Sequence, residues 1–230
     1  MRVRTENLTK TFRLGLSEIT AVNNVSFEVD EAKFTTIVGR SGSGKSTLLN
    51  LIGLNDVPTS GKVFIDDTDV FSLSAGKRRS IRLRRMGFVF QTFNLLPTLD
   101  AVENVELPMA LASKPKREQR EKAAKLLSTV GLEGRFSHRP KQLSMGEMQR
   151  VAIARALAND PEIVIADEPT GELDSKTAEE IIVLLFEICK TQKKTVLVAT
   201  HDENVVEIAD AIQVMQDGEL SPRERLPHIE

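Results

Sequence analysis

Three short runs of this 230-residue chain are apolar at nearly every position. They are residues 87–90, 162–166 and 195–199, and a similar run at residues 34–38 precedes a glycine-rich segment. Continuous apolar runs of this length are typical of parallel strands that are covered on both faces. The pattern therefore predicts an α/β core.

Other runs favour a separate antiparallel layer. Residues 2–8, 24–29 and 62–66 are rich in strand-forming side chains, and the third follows a Pro-Thr-Ser-Gly turn at residues 58–61. Two of the three precede the glycine-rich segment. We expect an N-terminal antiparallel β layer beside the α/β core.

The pattern changes to helical spacing between residues 91 and 160. Predicted helices at residues 99–112, 117–130 and 145–159 are separated by loops that contain proline and glycine. We interpret residues 91–160 as a helical subdomain inserted into a single domain, residues 1–230. Residues 1–90 and 161–220 then form the α/β core with its β layer, and residues 221–230 form a peripheral tail.

Composition limits the class of protein. The formal charge is −2, and the basic run at residues 77–85 has no interleaved aromatic side chains, so we predict a solvated helix face and no nucleic-acid partner. The longest apolar stretch, residues 181–189, is about half of the ~20 residues that a membrane span needs. The chain start has no signal-peptide core and Cys189 is the only cysteine, which favours the cytosol.

A complete phosphate-binding motif follows the run at residues 34–38. Glycines let backbone N–H groups surround phosphate oxygens, the lysine neutralises the β and γ phosphates, and the serine can ligate Mg²⁺. A plain glycine-rich turn is the alternative, but the strand–loop–helix context disfavours it. The motif consists of Gly39, Arg40, Ser41, Gly42, Ser43, Gly44, Lys45, Ser46 and Thr47.

Polar residues follow the other apolar runs. Asp167 and Glu168 end one run, His201 follows another, and Gln91 follows residues 87–90. At one edge of a parallel sheet, Asp167 could hold Mg²⁺ and Glu168 could orient the attacking water. His201 could donate to the γ-phosphate or hold the water, and the Gln91 amide could ligate Mg²⁺ and report loss of that phosphate.

A second helix start could also meet an anion. Ser144 and Glu147 have the spacing of a capping box, and a helix N-terminus favours negative charge. From the spacing alone, plain capping is the favoured interpretation.

Taken together, residues 3–220 resemble the ATP-binding subunits of ABC transporters, a P-loop NTPase family with a RecA-like core. Residues 87–96 and 166–171 resemble the branch that serves lipoprotein release, macrolide and antimicrobial-peptide export, and cell division. The resemblance lies in the Walker A loop (39–47), the Q-loop at Gln91, the signature motif (143–147), Walker B (163–168), the D-loop (171–174) and the switch histidine at His201.

The resemblance implies an ATP-dependent dimer, either of two copies or with a related subunit. In this family the signature residues Ser144, Met145, Gly146 and Glu147 of one subunit would close over ATP on the other, and Asp174 would communicate between the sites. A membrane permease subunit would dock near residues 93–98 and 102–107. The resemblance thus implies ATP hydrolysis with Mg²⁺, at the inner face of the cell membrane.

Three residues depart from the family pattern. Met145 replaces a glycine that normally approaches phosphate, and it lacks the conformational freedom of glycine. Glu147 replaces a glutamine, a change that is compatible with capping. Phe12 stands where a tyrosine commonly stacks on the base, so stacking is retained and the hydroxyl is lost.

Two alternative functions use the same loop. A soluble ABC-type ATPase acting on a macromolecular assembly would favour a long coiled-coil insertion or tandem cassettes with a basic face, and the sequence has neither. A small-molecule phosphotransferase is disfavoured by the predicted helical insertion and by the set Asp167, Glu168 and His201.

Overall fold

Two β-sheets and the helices around them make up the computed structural model, which describes residues 1–15, 17–202 and 204–223. The strands are β1 (Val3–Leu14), β2 (Ser17–Val29), β3 (Phe34–Val38), β4 (Ser60–Ile65), β5 (Thr68–Asp69), β6 (Met86–Phe90), β7 (Ile163–Asp167), β8 (Thr195–Thr200), β9 (Ala211–Gln216) and β10 (Glu219–Pro222). The helices are α1 (Lys45–Ile52), α2 (Ala75–Arg85), α3 (Ala101–Leu111), α4 (Lys116–Thr129), α5 (Met145–Ala156), α6 (Ser175–Gln192) and α7 (Asn204–Ile208).

The larger sheet has the strand order β10-β9-β3-β8-β7-β6, and all neighbouring pairs from β9 to β6 are parallel. The pairing aligns the ends of the strands. Val38 lies opposite Thr200, and Asp167 lies opposite both Phe90 and Ala199. The residues that follow β3, β6, β7 and β8 therefore meet at one sheet edge, as predicted.

Alternating residues of these strands pack on opposite faces of the sheet. In β7, Val164 and Ala166 face the core shared with helices α3 to α6, whereas Ile163 and Ile165 face the core shared with α1 and the smaller sheet. Coverage on both faces explains why the strands are apolar at nearly every position. The predicted α/β fold is confirmed.

The smaller sheet has the order β2-β1-β4-β5 and is antiparallel at every pairing. Its first two strands extend beyond the predicted residues 2–8 and 24–29. Irregularities in the pairing interrupt the alternation of side chains, and Asn7 and Asn24 have positive φ of 47° and 52° there. The strands continue past these irregularities, which is why the pattern alone placed the end of β1 too early and the start of β2 too late.

The predicted peripheral tail, residues 221–230, begins inside a strand. Ser221 and Pro222 belong to β10, which pairs antiparallel with β9 through a turn at Asp217 and Gly218. Both turn residues have positive φ, which suits a tight hairpin, and the Asp-Gly pair is the sequence signal for it. Residues 224–230 lie outside the described residues. The boundaries of the helical subdomain stay a prediction.

Candidate functional site

The glycine-rich loop joins β3 to α1, and two of its glycines have positive φ. Gly42 has φ of 80°, and Gly44, the N-cap of α1, has φ of 109°. A Cβ added at Gly44 would lie only 2.1 Å from the carbonyl oxygen of Ala21. Position 44 therefore requires glycine for both its backbone conformation and its close packing.

Lys45 begins α1 and is 5% exposed. Its Nζ donates to the carbonyl oxygens of Gly39 at 2.8 Å and Arg40 at 3.2 Å. The same ammonium forms an ion pair with Glu168 Oε1 at 3.2 Å. This buried cation thus bridges the loop and the end of β7.

Ser46 and Asp167 join the same two elements by a second contact. The Ser46 hydroxyl donates to Asp167 Oδ1 at 3.0 Å. Burial raises the pKa of Asp167 above its usual value; the hydrogen bond from Ser46 opposes the rise, and the neighbouring Glu168 charge adds to it. Ser46 Oγ, from α1, and Asp167 Oδ1, from the end of β7, therefore lie close together in a partly buried setting.

Glu168 links β7 to the end of β8. Its backbone has φ of 46°, which is uncommon for a residue other than glycine, and its N–H donates to Ala199 O at 2.8 Å. Glu168 Oε2 lies 2.9 Å from Nδ1 of His201 and accepts from the His201 N–H at 3.3 Å. One carboxylate thus contacts Lys45 through one oxygen and His201 through the other.

Gln91 follows β6 and is exposed. Its amide nitrogen donates to Glu172 Oε1 at 3.0 Å, and its side chain lies against Gly171, where an added Cβ would be 3.0 Å from Nε2. Gln91 therefore contacts the segment after Glu168 rather than the Ser46–Asp167 pair. A metal-ligand role for Gln91 stays a prediction.

The predicted capping box at the start of α5 is present. Ser144 Oγ accepts from the Glu147 N–H at 3.2 Å, and Glu147 Oε2 accepts from the Ser144 N–H at 2.8 Å. Glu147 Oε1 accepts from Arg135 Nε at 2.7 Å; that hydrogen bond and the one from Ser144 hold the pKa of Glu147 below its usual value. Met145 is 54% exposed.

This helix start packs against the start of α6. A Cβ added at Gly146 would lie 2.5 Å from Thr177 Cγ2. Asp174 caps α6, accepting from the Thr177 N–H at 3.1 Å and from the Thr177 hydroxyl at 2.7 Å. Within one chain, the signature residues therefore contact the Asp174 segment, and the hydrogen bonds of Ser144 and Glu147 described above join them to each other and to Arg135.

Phe12 lies on β1 opposite Ile19, and both side chains are exposed. The Lys10 ammonium lies 5.0 Å from the centre of the Phe12 ring. An exposed ring of this kind is available for stacking.

Gln149 is a residue whose position the sequence analysis missed. Its side chain is completely buried on α5, and its amide nitrogen donates to Pro169 O at 2.5 Å and to Phe90 O at 3.4 Å. A polar residue four positions before Ile153, on the apolar face of a predicted helix, was the available signal.

Comparisons with known proteins show the family to which this chain is similar. The sequence profile of the ABC transporter family matches residues 22–171. The ABC transporter ATP-binding protein MJ0796 of Methanocaldococcus jannaschii is 47% identical over 228 residues, 97% of each chain. The macrolide export ATP-binding/permease protein MacB of Vibrio parahaemolyticus is 44% identical over 218 residues, which are 95% of this chain and 33% of that protein.

A solved structure is similar as well. The structure described as a dimeric post-hydrolysis state of the ATP-binding cassette MJ0796, bound to ADP and Pi, matches with a TM-score of 0.89 and 44% identity. The match covers 97% of this chain and all of that one.

Proposed function

The chain belongs to the ABC transporter family, and from that premise we propose that it is the ATP-binding and hydrolysing subunit of a transporter. The observation that carries this proposal is the placement of Glu168. Its carboxylate lies between Lys45 of the phosphate loop and His201 at the end of β8. A carboxylate that is held between a phosphate-binding cation and a histidine suits the orientation of an attacking water.

The Lys45 ammonium changes partners in the proposed cycle. In the structure the ammonium contacts Glu168 and two loop carbonyl oxygens. The phosphates of ATP would be stronger acceptors than these carbonyl oxygens because they are anionic. Transfer of Lys45 to the phosphates frees Glu168 Oε1 to accept a hydrogen bond from water. His201, at the other carboxylate oxygen, keeps Glu168 oriented and can itself donate toward the γ-phosphate.

Mg²⁺ is the proposed cofactor, and the residues fit it. Ser46 Oγ and Asp167 Oδ1 lie 3.0 Å apart, and Mg²⁺ is usually held by one or two protein oxygens together with phosphate and water oxygens. Mg²⁺ held by these residues would supply charge neutralisation to the phosphates. Asp167 would be favoured in its ionised form by a nearby divalent charge, against the effect of burial. Gln91 is the third proposed ligand.

We propose an ATP-dependent dimer as the working form. In it, the start of α5 at Ser144, Met145, Gly146 and Glu147 of one chain faces the γ-phosphate that is held by the partner. The dimeric description of the similar MJ0796 structure supports this assembly. The contact between Gly146 and the Asp174-capped helix then links the trans site to the chain's own D-loop.

A membrane subunit is the proposed partner. Among the described helices, none has both the length and the apolar character needed to cross a bilayer. MacB is named as an ATP-binding and permease protein, and this chain corresponds to a third of it. A groove of about 610 Å³, lined in part by Leu107, Leu111 and Arg155, lies beside the Q-loop. We propose that the partner docks there, which places the chain at the inner face of the cell membrane.

Phosphate release from MgATP tests the proposed function. The wild-type chain should hydrolyse ATP, and Glu168→Gln should abolish turnover while keeping ATP binding, because the amide retains the shape and loses the charge. Glu133→Gln makes the same chemical change at an exposed loop position and should leave both activities intact. Undiminished hydrolysis by Glu168→Gln would refute the assigned role.

A further inference from the structure

The side chain of Gln149 connects three segments that carry proposed site residues. Gln149 lies on α5, one turn after Met145, and none of its surface is exposed. Its amide nitrogen donates to Pro169 O at 2.5 Å and to Phe90 O at 3.4 Å. Pro169 follows Glu168 and Phe90 precedes Gln91. A single amide thus joins α5 to the residues next to Glu168 and Gln91 in the chain.

The segment at Glu168 needs such support. Its φ of 46° lies in the left-handed region, and backbones in this region persist where surrounding contacts hold them. On one side, the Glu168 N–H donates to Ala199 O. On the other side, Pro169 has no N–H to donate, so its carbonyl group is the backbone polar group through which a neighbour can hold this residue. Gln149 makes that contact.

The other end of the Gln149 amide points to a specific role. Gln149 Oε1 is buried and has no hydrogen-bond partner among the described residues. Burying an unpaired oxygen costs free energy, and an apolar side chain of similar length would fill the same space without that cost. Packing alone therefore does not account for glutamine here, whereas the two donated hydrogen bonds require it.

We propose that Gln149 is a positioning residue that fixes the Glu168 carboxylate by holding the Pro169 carbonyl from the signature helix. The proposal rests on the proposed ATPase function and adds a route within one chain. A displacement of α5 on engagement with a partner's ATP moves the Pro169 carbonyl, and so the chain's own Glu168, because the same side chain connects them.

The test compares steady-state ATP hydrolysis by the wild type, Gln149→Met and Ile153→Ala. Methionine keeps the length of the side chain and removes the donor. Ile153 is equally buried one turn further along α5, so its truncation controls for loss of helix packing. Rates are measured well below each variant's melting temperature. We expect kcat of Gln149→Met to fall roughly tenfold to a hundredfold, as for a displaced reacting group. KM for MgATP should change by no more than about twofold.

The outcomes distinguish failure of the positioning role of Gln149 from failure of the proposed ATPase function. Retention of wild-type kcat by Gln149→Met, or an equal loss of kcat in Ile153→Ala, would overturn the positioning role. A wild-type chain that releases no phosphate would refute the proposed function instead. If Gln149→Met does not fold, Gln149→Asn, which keeps the amide but shortens its reach by one methylene, is assayed with the same expectation and the same criteria.

Discussion

Replacing Gly146 by alanine tests the packing of the signature helix against the Asp174-capped helix. The new Cβ would lie 2.5 Å from Thr177 Cγ2, about 1 Å closer than the ~3.5 Å at which carbon atoms pack. Rotation of Thr177 is opposed because its hydroxyl donates to Asp174 at 2.7 Å. The two helix starts must therefore separate, or this hydrogen bond must break.

Two opposing contributions set the size of the effect. Overpacking in a well-packed contact costs roughly 1–3 kcal/mol. Alanine in place of glycine favours the helix by up to about 1 kcal/mol. The net expectation for Gly146→Ala is a loss of about 1–2 kcal/mol in the free energy of unfolding. Adding Thr177→Ser removes the clashing methyl group and keeps the hydroxyl, so it should recover most of that loss.

Denaturant unfolding followed by far-UV circular dichroism measures these changes, since the chain has no Trp or Tyr. Gly76→Ala is the matched control. Gly76 is also the second residue of a helix with a serine N-cap, and nothing lies within 4 Å of its added Cβ. The Gly76→Ala variant should be more stable than the wild type by up to about 1 kcal/mol. A Gly146→Ala variant that is as stable as the wild type, or that Thr177→Ser fails to rescue, would refute this reasoning.

Three further predictions concern the nucleotide, the dimer and pH. Lys45→Ala should lose most of its ATP affinity in a filter-binding assay, because the phosphate-binding cation is removed; normal binding would contradict the assignment of the loop. Met145→Gly, in a Glu168→Gln background, should form tighter ATP-driven dimers by light scattering, and an unchanged affinity would mean that methionine is accommodated without strain. Burial raises the pKa of Asp210, but hydrogen bonds from Lys190 and from the Phe34 N–H lower it by more, so the pKa lies below its ordinary value. Its stabilisation is thus present above about pH 4 and lost as pH falls through the lower folded-state value, so Asp210→Asn should be less stable than wild type at pH 7 and approach it at pH 3. An equal gap at both pH values would contradict this.

The sequence predicted the sheet edge of the site well, because the signal there is local. Asp167, Glu168 and His201 directly follow apolar runs, and parallel pairing alone brings the ends of such runs together. Strands β1 and β2 were predicted too short, since irregular pairing interrupts the alternation of their side chains. The Asp217-Gly218 pair is a local signal for the hairpin that joins β9 to β10.

Side-chain partners could not be predicted in the same way. Gln91 donates to Glu172, and Gln149 reaches two carbonyl groups from a different element. Both contacts depend on how α5 and the segment after β7 pack in space. The spacing of residues along the chain carries no information about which rotamer a long amide side chain adopts.

In the proposed working form, ATP joins two copies of this cassette, and the solution mass of Glu168→Gln is a direct test of that assembly. Light scattering with refractive-index detection suits a chain without Trp or Tyr. With MgATP the mass should rise from the monomer value of 25.5 kDa to twice that value, and without nucleotide it should stay monomeric. A variant that binds MgATP and remains a monomer at every protein concentration would contradict the account.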